Sequence, residues 1–245
     1  MEAHVQEPIT PPLSLATRLR RRLLELVAPP VARALKRRFW NRAWADGGFP
    51  SPRNFWFLPD GVVPLAIREA LESGWIPRGA RVVDLGCGDG TIAAHLAGAG
   101  CDVLGVDYAA PAIARARARY GESATLRYQV LDVCQEIPGP EPFDVIVDRG
   151  CFHGLPAHAR PAYLRTLAAC TAPGSRVLLL HKVAGRTDLD AGARARVADR
   201  VVARVRQAFA PTFQILETRT LWFNSRGDDD STASLPGAAI RLIRV

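Results

Sequence analysis

The sequence predicts an α/β fold in which a mostly parallel sheet alternates with helices, ends in an antiparallel strand pair and is preceded by a helical N-terminal extension. Three observations predict it. The apolar run Val82-Val83-Asp84-Leu85 enters a loop with glycine at 86, 88 and 90, then continues as Thr91-Ile92-Ala93-Ala94-His95-Leu96, a helix pattern. Three further apolar runs, 103–106, 126–131 and 143–147, are each followed by an acid, Asp107, Asp132 and Asp148. Ligands sit at the carboxyl ends of strands in an open parallel sheet, and one acid per strand tip in register with a glycine loop exceeds what turn preference alone explains. Finally, residues 213–223 and 238–245 alternate apolar and polar positions on either side of a Gly-Asp-Asp-Asp-Ser loop, the pattern of an antiparallel pair.

Taken in order, residues 1–12 are polar and punctuated by proline, so they are expected to be disordered. Residues 13–27 place Leu15, Leu19, Leu23 and Leu26 along one side, with Arg18, Arg21, Arg22 and Glu25 on the other, which predicts an amphipathic helix. Pro29-Pro30 ends it, and Val31, Leu35 and Phe39 mark the apolar face of a second helix flanked by Arg33, Lys36, Arg37 and Arg38. Residues 40–58 mix Trp40, Trp44, Phe49, Phe55, Trp56 and Phe57 with Gly47-Gly48, Pro50 and Pro52, too loop-like for a helix face. A helix over 62–75 leads to the first strand and the glycine loop. Helices over 91–99 and 111–120 then alternate with the strands, the second opened by Pro111 in its first turn. After the fourth strand come a helix over 156–171, a Pro173-Gly174 turn, a strand over 176–181 and a helix over 188–209, on which Val197, Val201, Val205, Ala208 and Phe209 share a face.

The loop itself points to a nucleotide-like ligand. Its glycines admit positive φ and let the backbone approach a ligand, and the next helix N-terminus offers unpaired N–H groups. The dinucleotide pattern G-x-G-x-x-G fails, because its third glycine would fall at Thr91. A carboxylate such as Asp107, 17 residues past Gly90, can accept from both hydroxyls of a ribose.

Composition narrows the setting. The 245 residues suit one α/β domain, residues 61–245, with an extension, residues 1–60. No apolar run approaches bilayer length and no apolar segment follows the N-terminal charges, so a soluble cytoplasmic protein is expected. Five cysteines without C-x-x-C spacing suggest neither zinc nor a disulfide framework, and no metal is expected. Net charge is +8, of which residues 1–60 hold +5, and thirty of the 32 basic residues are arginine. That arginine usage, with abundant alanine, resembles a GC-rich genome and is poor support for nucleic acid. The extension is expected to cap the domain as a lid, with an anionic membrane surface met through residues 13–42 as a second reading and RNA as a third.

The series Asp84-x-Gly86-x-Gly88-x-Gly90, followed by the acids at 107 and 132, resembles the class I S-adenosylmethionine-dependent methyltransferases over residues 82–182. The resemblance implies a Rossmann-like, seven-stranded, mostly parallel sheet closed by a C-terminal hairpin. It implies S-adenosyl-L-methionine as cofactor and S-adenosyl-L-homocysteine as product. Asp84, Gly86, Cys87, Gly88 and Gly90 would form the cofactor loop, Asp107 would meet the ribose, and Asp132 with Val133 the adenine amino group. Tyr108 would lie against the adenine, and Phe55, Trp56 or Phe57 could face the sulfonium. At the fourth strand tip, Asp148-Arg149-Gly150 looks like the thiopurine methyltransferase-like group and its small-molecule relatives. That likeness makes Arg149 the cation that favours a thiolate or other anionic nucleophile and gives Asp148 the floor of the site. His153, with an ordinary pKa near neutrality, is the general-base candidate. The Asn/Asp-Pro-Pro-Tyr motif of base-modifying enzymes is absent. Methyl transfer to a small molecule at sulfur, nitrogen or oxygen is therefore expected. A methyltransferase of RNA or protein docking through the basic helices, and a non-catalytic cofactor-binding scaffold, are the alternatives. Oligomeric state is left unspecified.

Overall fold

In this computed structural model residues 14, 16, 17, 19, 23, 28–45, 58, 62–182, 190–223 and 235–245 are described. The predicted helix over 13–27 and Phe55, Trp56 and Phe57 lie wholly or mostly outside them.

Seven strands form one sheet in the order β3-β2-β1-β4-β5-β7-β6. They are β1 (Arg81–Leu85), β2 (Asp102–Asp107), β3 (Leu126–Val130), β4 (Val145–Arg149), β5 (Arg176–Lys182), β6 (Phe213–Phe223) and β7 (Leu235–Arg244). The first five are parallel, while β7 runs antiparallel to both β5 and β6. The antiparallel pair is as expected, and β7 is inserted between β5 and β6 rather than ending the sheet.

The parallel strands read as continuous apolar runs because both faces are covered. On β1, Val82 joins one core with Ile67 and Ala70 of α2 (Leu65–Glu72), Ile92 and Leu96 of α3 (Thr91–Gly98), and Ile113 and Ala116 of α4 (Ala110–Tyr120). Its neighbours Val83 and Leu85 point the other way, into a core shared with Phe152 of α5 (Cys151–Gly154), Tyr163 and Leu167 of α6 (Arg160–Ala169), and Val201, Val205 and Phe209 of α7 (Ala191–Phe209). Each fully buried aliphatic side chain contributes about 1.5–3 kcal/mol, so this period-2 alternation fixes which helices cover which face.

Several boundaries differ from the sequence reading for local reasons. The helix over 62–75 is cut to Leu65–Glu72 by Pro64 at its N-cap and by Gly74 at φ +68° beyond its end. The helix over 156–171 is preceded by α5 and a 3₁₀ turn at Ala157–Ala159, because Pro161 suits only a first helical turn. α7 begins at Ala191, where the Asp190 carboxylate accepts from the Ala193 N–H at 2.7 Å.

Sheet order places the site. From β1 the chain steps outward to β2 and β3, then crosses back to β4 on the other side of β1. The loops leaving β1 and β4 therefore diverge, opening a crevice at their carboxyl ends.

Across that crevice lies α1 (Pro29–Ala45). Its orientation corrects the sequence reading. Val31, Leu35 and Phe39 are 50%, 53% and 54% exposed, whereas Trp44 is buried and Arg33 and Trp40 are half-buried. The residues at 33, 40 and 44 face the domain because partners wait there: Asp132 for Arg33, and Ala109, Ala112 and Tyr108 for the two tryptophans.

Candidate cofactor and acceptor site

The loop after β1 is built on left-handed backbone. Gly86, Gly88 and Gly90 have φ of +72°, +57° and +82°. The N–H groups of Gly86 and Cys87 both donate to the Val106 carbonyl, at 2.8 and 3.0 Å, which folds the loop across the end of β2. Tyr128 of β3 supports it, its hydroxyl donating to the Gly90 carbonyl at 3.3 Å. A Cβ at Gly90 would stand 2.6 Å from that hydroxyl, and one at Gly105 2.7 Å from the same ring. Asp89 is tied to Arg119 of α4 and accepts from Thr91 Oγ1 at 3.0 Å, while Thr91 also meets the Tyr120 hydroxyl at 3.1 Å. The loop is thus anchored from α4 and β3, and none of these supporting contacts is legible from glycine spacing.

Three carboxylates converge where the loop meets the strand tips. Asp107 accepts from the N–H groups of Gly88 at 3.2 Å and Ala109 at 2.8 Å, and burial raises its pKa to about 6. Asp148 accepts from the Cys151 and Phe152 N–H groups at 2.8 and 2.9 Å and from the Tyr163 hydroxyl at 2.6 Å. Burial raises its pKa to about 6 as well. Asp84 is shifted furthest: burial first, then the charges of Asp148 and Asp107, push its pKa to about 8, opposed by the Ala93 N–H and the Arg149 guanidinium. Among the described residues its Oδ2 has no hydrogen-bond partner. A buried carboxylate oxygen left unpaired among two other carboxylates is costly by itself. It suits a ligand carrying positive charge and N–H donors.

The remaining expected residues surround this centre. Asp132 pairs with Arg33 of α1 at 2.5 Å and accepts from the Cys134 N–H at 3.0 Å, and Val133 beside it is buried in the core. Tyr108 packs with Trp40, Trp44 and Ala109, with the Arg37 guanidinium 6.0 Å from its ring centre. Cys87 is buried, and burial followed by the Asp84 charge holds its thiol well above the ordinary range. Trp44 covers the loop so closely that a Cβ at Gly88 would be 2.8 Å from its ring.

At the β4 tip, Gly150 turns at φ +100° into α5. A Cβ at Gly86 would be 3.0 Å from Cβ of Cys151, so this turn abuts the glycine loop. His153 accepts at Nδ1 from the Lys182 backbone N–H at 3.0 Å, and its ring centre is 5.2 Å from that of His181. Burial foremost, then His181 and the facing charges of Lys182, Arg149 and Lys36, hold its pKa well below the usual value. Asp148, fully buried by its three donors, holds the turn that carries Arg149 and His153. Arg33, Trp44, Tyr163 and Lys182 belong to the site and were not singled out from sequence. Spacing of 33, 37, 40 and 44, an i, i+4, i+7, i+11 stripe, was the signal for the first two.

A glycine loop, acids on successive strand tips and a crevice at a switch point define a nucleotide-cofactor protein of Rossmann-like type. Residues 82–174 match a family model described as a methyltransferase domain. A 2-heptyl-1-hydroxyquinolin-4(1H)-one methyltransferase of Mycobacteroides abscessus is 31% identical over 113 residues, which are 44% of this chain and 50% of that protein. Thiocyanate methyltransferase 1 of Brassica oleracea is 28% identical over 163 residues, 65% of this chain and 67% of its own. The chain spans about half the length of most of the curated relatives it matches. In fold it is similar to the Burkholderia thailandensis 1,6-didemethyltoxoflavin-N1-methyltransferase, solved with 1,6-didemethyltoxoflavin and S-adenosylhomocysteine, with a TM-score of 0.64 at 20% identity over all of this chain and 98% of that one. Over residues 82–174 the chain is similar to methyltransferase domains, and the unpaired Asp84 oxygen and open glycine backbone fit a cationic cofactor such as S-adenosylmethionine.

Proposed function

We propose that this chain transfers a methyl group from S-adenosylmethionine to a small-molecule nucleophile. The observation that carries this reading is the trio Asp84, Asp107 and Asp148 around the glycine loop, with Asp84 Oδ2 awaiting a donor. When bound, the cofactor supplies an activated methyl on sulfur. The chain's residues supply placement, and placement accounts for much of the rate of an in-line displacement. Asp107 is the ribose acceptor, Asp132 and Tyr108 the adenine contacts, and Arg149 and His153 the side chains that meet the acceptor. Phe55, Trp56 and Phe57 remain the residues expected to face the sulfonium. A small acceptor is supported by the relatives, whose names describe methylation of a hydroxyquinolone and of thiocyanate.

The test is calorimetric titration with S-adenosylmethionine and S-adenosylhomocysteine, with Asp107→Ala as control. The intact protein should bind saturably. The variant should bind at least about tenfold more weakly, a loss of about 1.4 kcal/mol or more. Absence of binding to the intact protein would overturn the reading.

No helix among the described residues is long and apolar enough to cross a membrane. The outward stripe Val31, Leu35 and Phe39 beside Arg38 and Arg42 favours a second, peripheral role at anionic lipid. Failure to sediment with anionic vesicles at low salt would remove that role.

A further inference from the structure

The direction of one hydrogen bond constrains the chemistry of the acceptor. A backbone N–H can only donate, so the Lys182 N–H at 3.0 Å fixes the lone pair of His153 on Nδ1. In the neutral ring the proton is then on Nε2. The Nε2 edge faces the β4 tip, where position 150 carries no side chain: a Cβ there would stand 3.3 Å from Cε1 and 3.7 Å from Nε2 of His153. The same turn abuts the cofactor loop through Cys151 and Gly86. To act as a base toward that side, His153 would need to move its proton and surrender the Lys182 bond.

The charges around it point the same way. Lys182 faces His153 from β5, Arg149 from β4 and Lys36 from α1, while the His181 ring beside it is itself kept neutral, burial lowering its pKa to about 4. Burial and these cations disfavour an imidazolium, so the ring takes up a proton poorly. Those same cations favour a bound anion.

We propose that His153 is a hydrogen-bond donor through Nε2–H to a small acceptor that is ionised before it binds, and that the protein removes no proton during methyl transfer. The acceptors are thiols, acidic phenols and N-hydroxy heterocycles, taken as their anions. The acceptor's lone pair forms the new bond to the methyl carbon as the carbon–sulfur bond breaks and leaves its pair on sulfur. Anion and sulfonium become two neutral products, with no proton left over. This inference rests on the proposed methyltransferase reading, which cofactor titration tests separately.

The experiment uses the full chain with S-adenosylmethionine and a panel of thiols, phenols and N-hydroxy heterocycles with pKa values from about 5 to 10, read by mass of methylated product. The pH at which kcat/KM levels off should move with each acceptor's own pKa. His153→Gln, which keeps an N–H donor but has no basic nitrogen, should stay within about tenfold of the native protein, while His153→Ala should lose about 10–100-fold. A readout without turnover is the ultraviolet spectrum of the best acceptor bound beside S-adenosylhomocysteine, which should show the anion at pH values below its solution pKa. An inflection at one pH for every acceptor, Gln as damaging as Ala with a loss beyond about 10³-fold, or a bound acceptor that is protonated would each overturn the proposal. If either variant fails to fold, the pH series and spectrum of the native protein decide it. Cofactor binding with no methylated product from the whole panel would also reject it, while absence of cofactor binding would reject the reading beneath it.

Discussion

Asp84 is a carboxylate whose protonation the fold favours, since burial and two neighbouring carboxylates raise its pKa to about 8. A raised acid pKa means the folded protein binds a proton that the unfolded chain, with an ordinary carboxylate near 3.8, has already released. Stability of the cofactor-free protein should therefore fall as pH rises toward 8. Asp107 and Asp148, at about 6, and the histidines with lowered pKa titrate largely below pH 6.5, which leaves Asp84 to dominate the interval from 6.5 to 8. A cationic ligand favours the ionised form, so S-adenosylmethionine should bind more tightly as pH rises through the same interval. The gain is at most about tenfold per pH unit. Titration at pH 6.5, 7.2 and 8 checks this, and Asp84→Asn, which keeps an oxygen for the Ala93 N–H, should flatten the dependence.

Among elements, α1 has the most to explain. It seals the crevice with Arg33 on Asp132 and Trp44 on Gly88. Gly88→Ala should be damaging twice over, because its φ is +57° and the added methyl meets the Trp44 ring at 2.8 Å. The expected result is displacement of α1, seen as faster proteolysis near residue 45 and a change in tryptophan fluorescence, together with weaker cofactor binding. Unchanged proteolysis would mean that Trp44 does not rest on the loop in solution. This helix also marks where sequence reading stops. Apolarity picked Val31, Leu35 and Phe39 as its inner face, yet the inner face is the mixed stripe through Arg33, Trp40 and Trp44. A pattern reports how apolar a face is and not which buried carboxylate lies opposite. The parallel strands were legible because burial on both faces leaves nearly uninterrupted Val, Leu and Ile, and the turn over 86–90 because its left-handed backbone favours glycine. Tyr128, Arg119 and Tyr163 were not, since each acts across 15 to 38 residues of chain through contacts that only the fold creates.

On the scale of the whole molecule, the crevice joins α1, the first five strands and both helical layers, so a ligand bound there should stabilise the entire cooperative unit. At a hundred times its dissociation constant, S-adenosylmethionine should add about 2.7 kcal/mol, a rise in melting temperature of about 5–10 °C for a chain of this size. Differential scanning fluorimetry measures it, and the rise should be absent in Asp107→Ala.

The order of strands also bears on how the protein is made. β6 leaves the ribosome before β7, yet it reaches the sheet only through β7, which lies between it and β5. Until residues 235–244 emerge, β5 presents an open edge, its backbone groups and the flanks of Leu178 and Leu180 waiting for Arg241 and Ala239. At translation rates of about 5–20 residues per second, the nascent chain carries that sticky edge for seconds, and this is the interval in which a ribosome-bound chaperone has the most to protect.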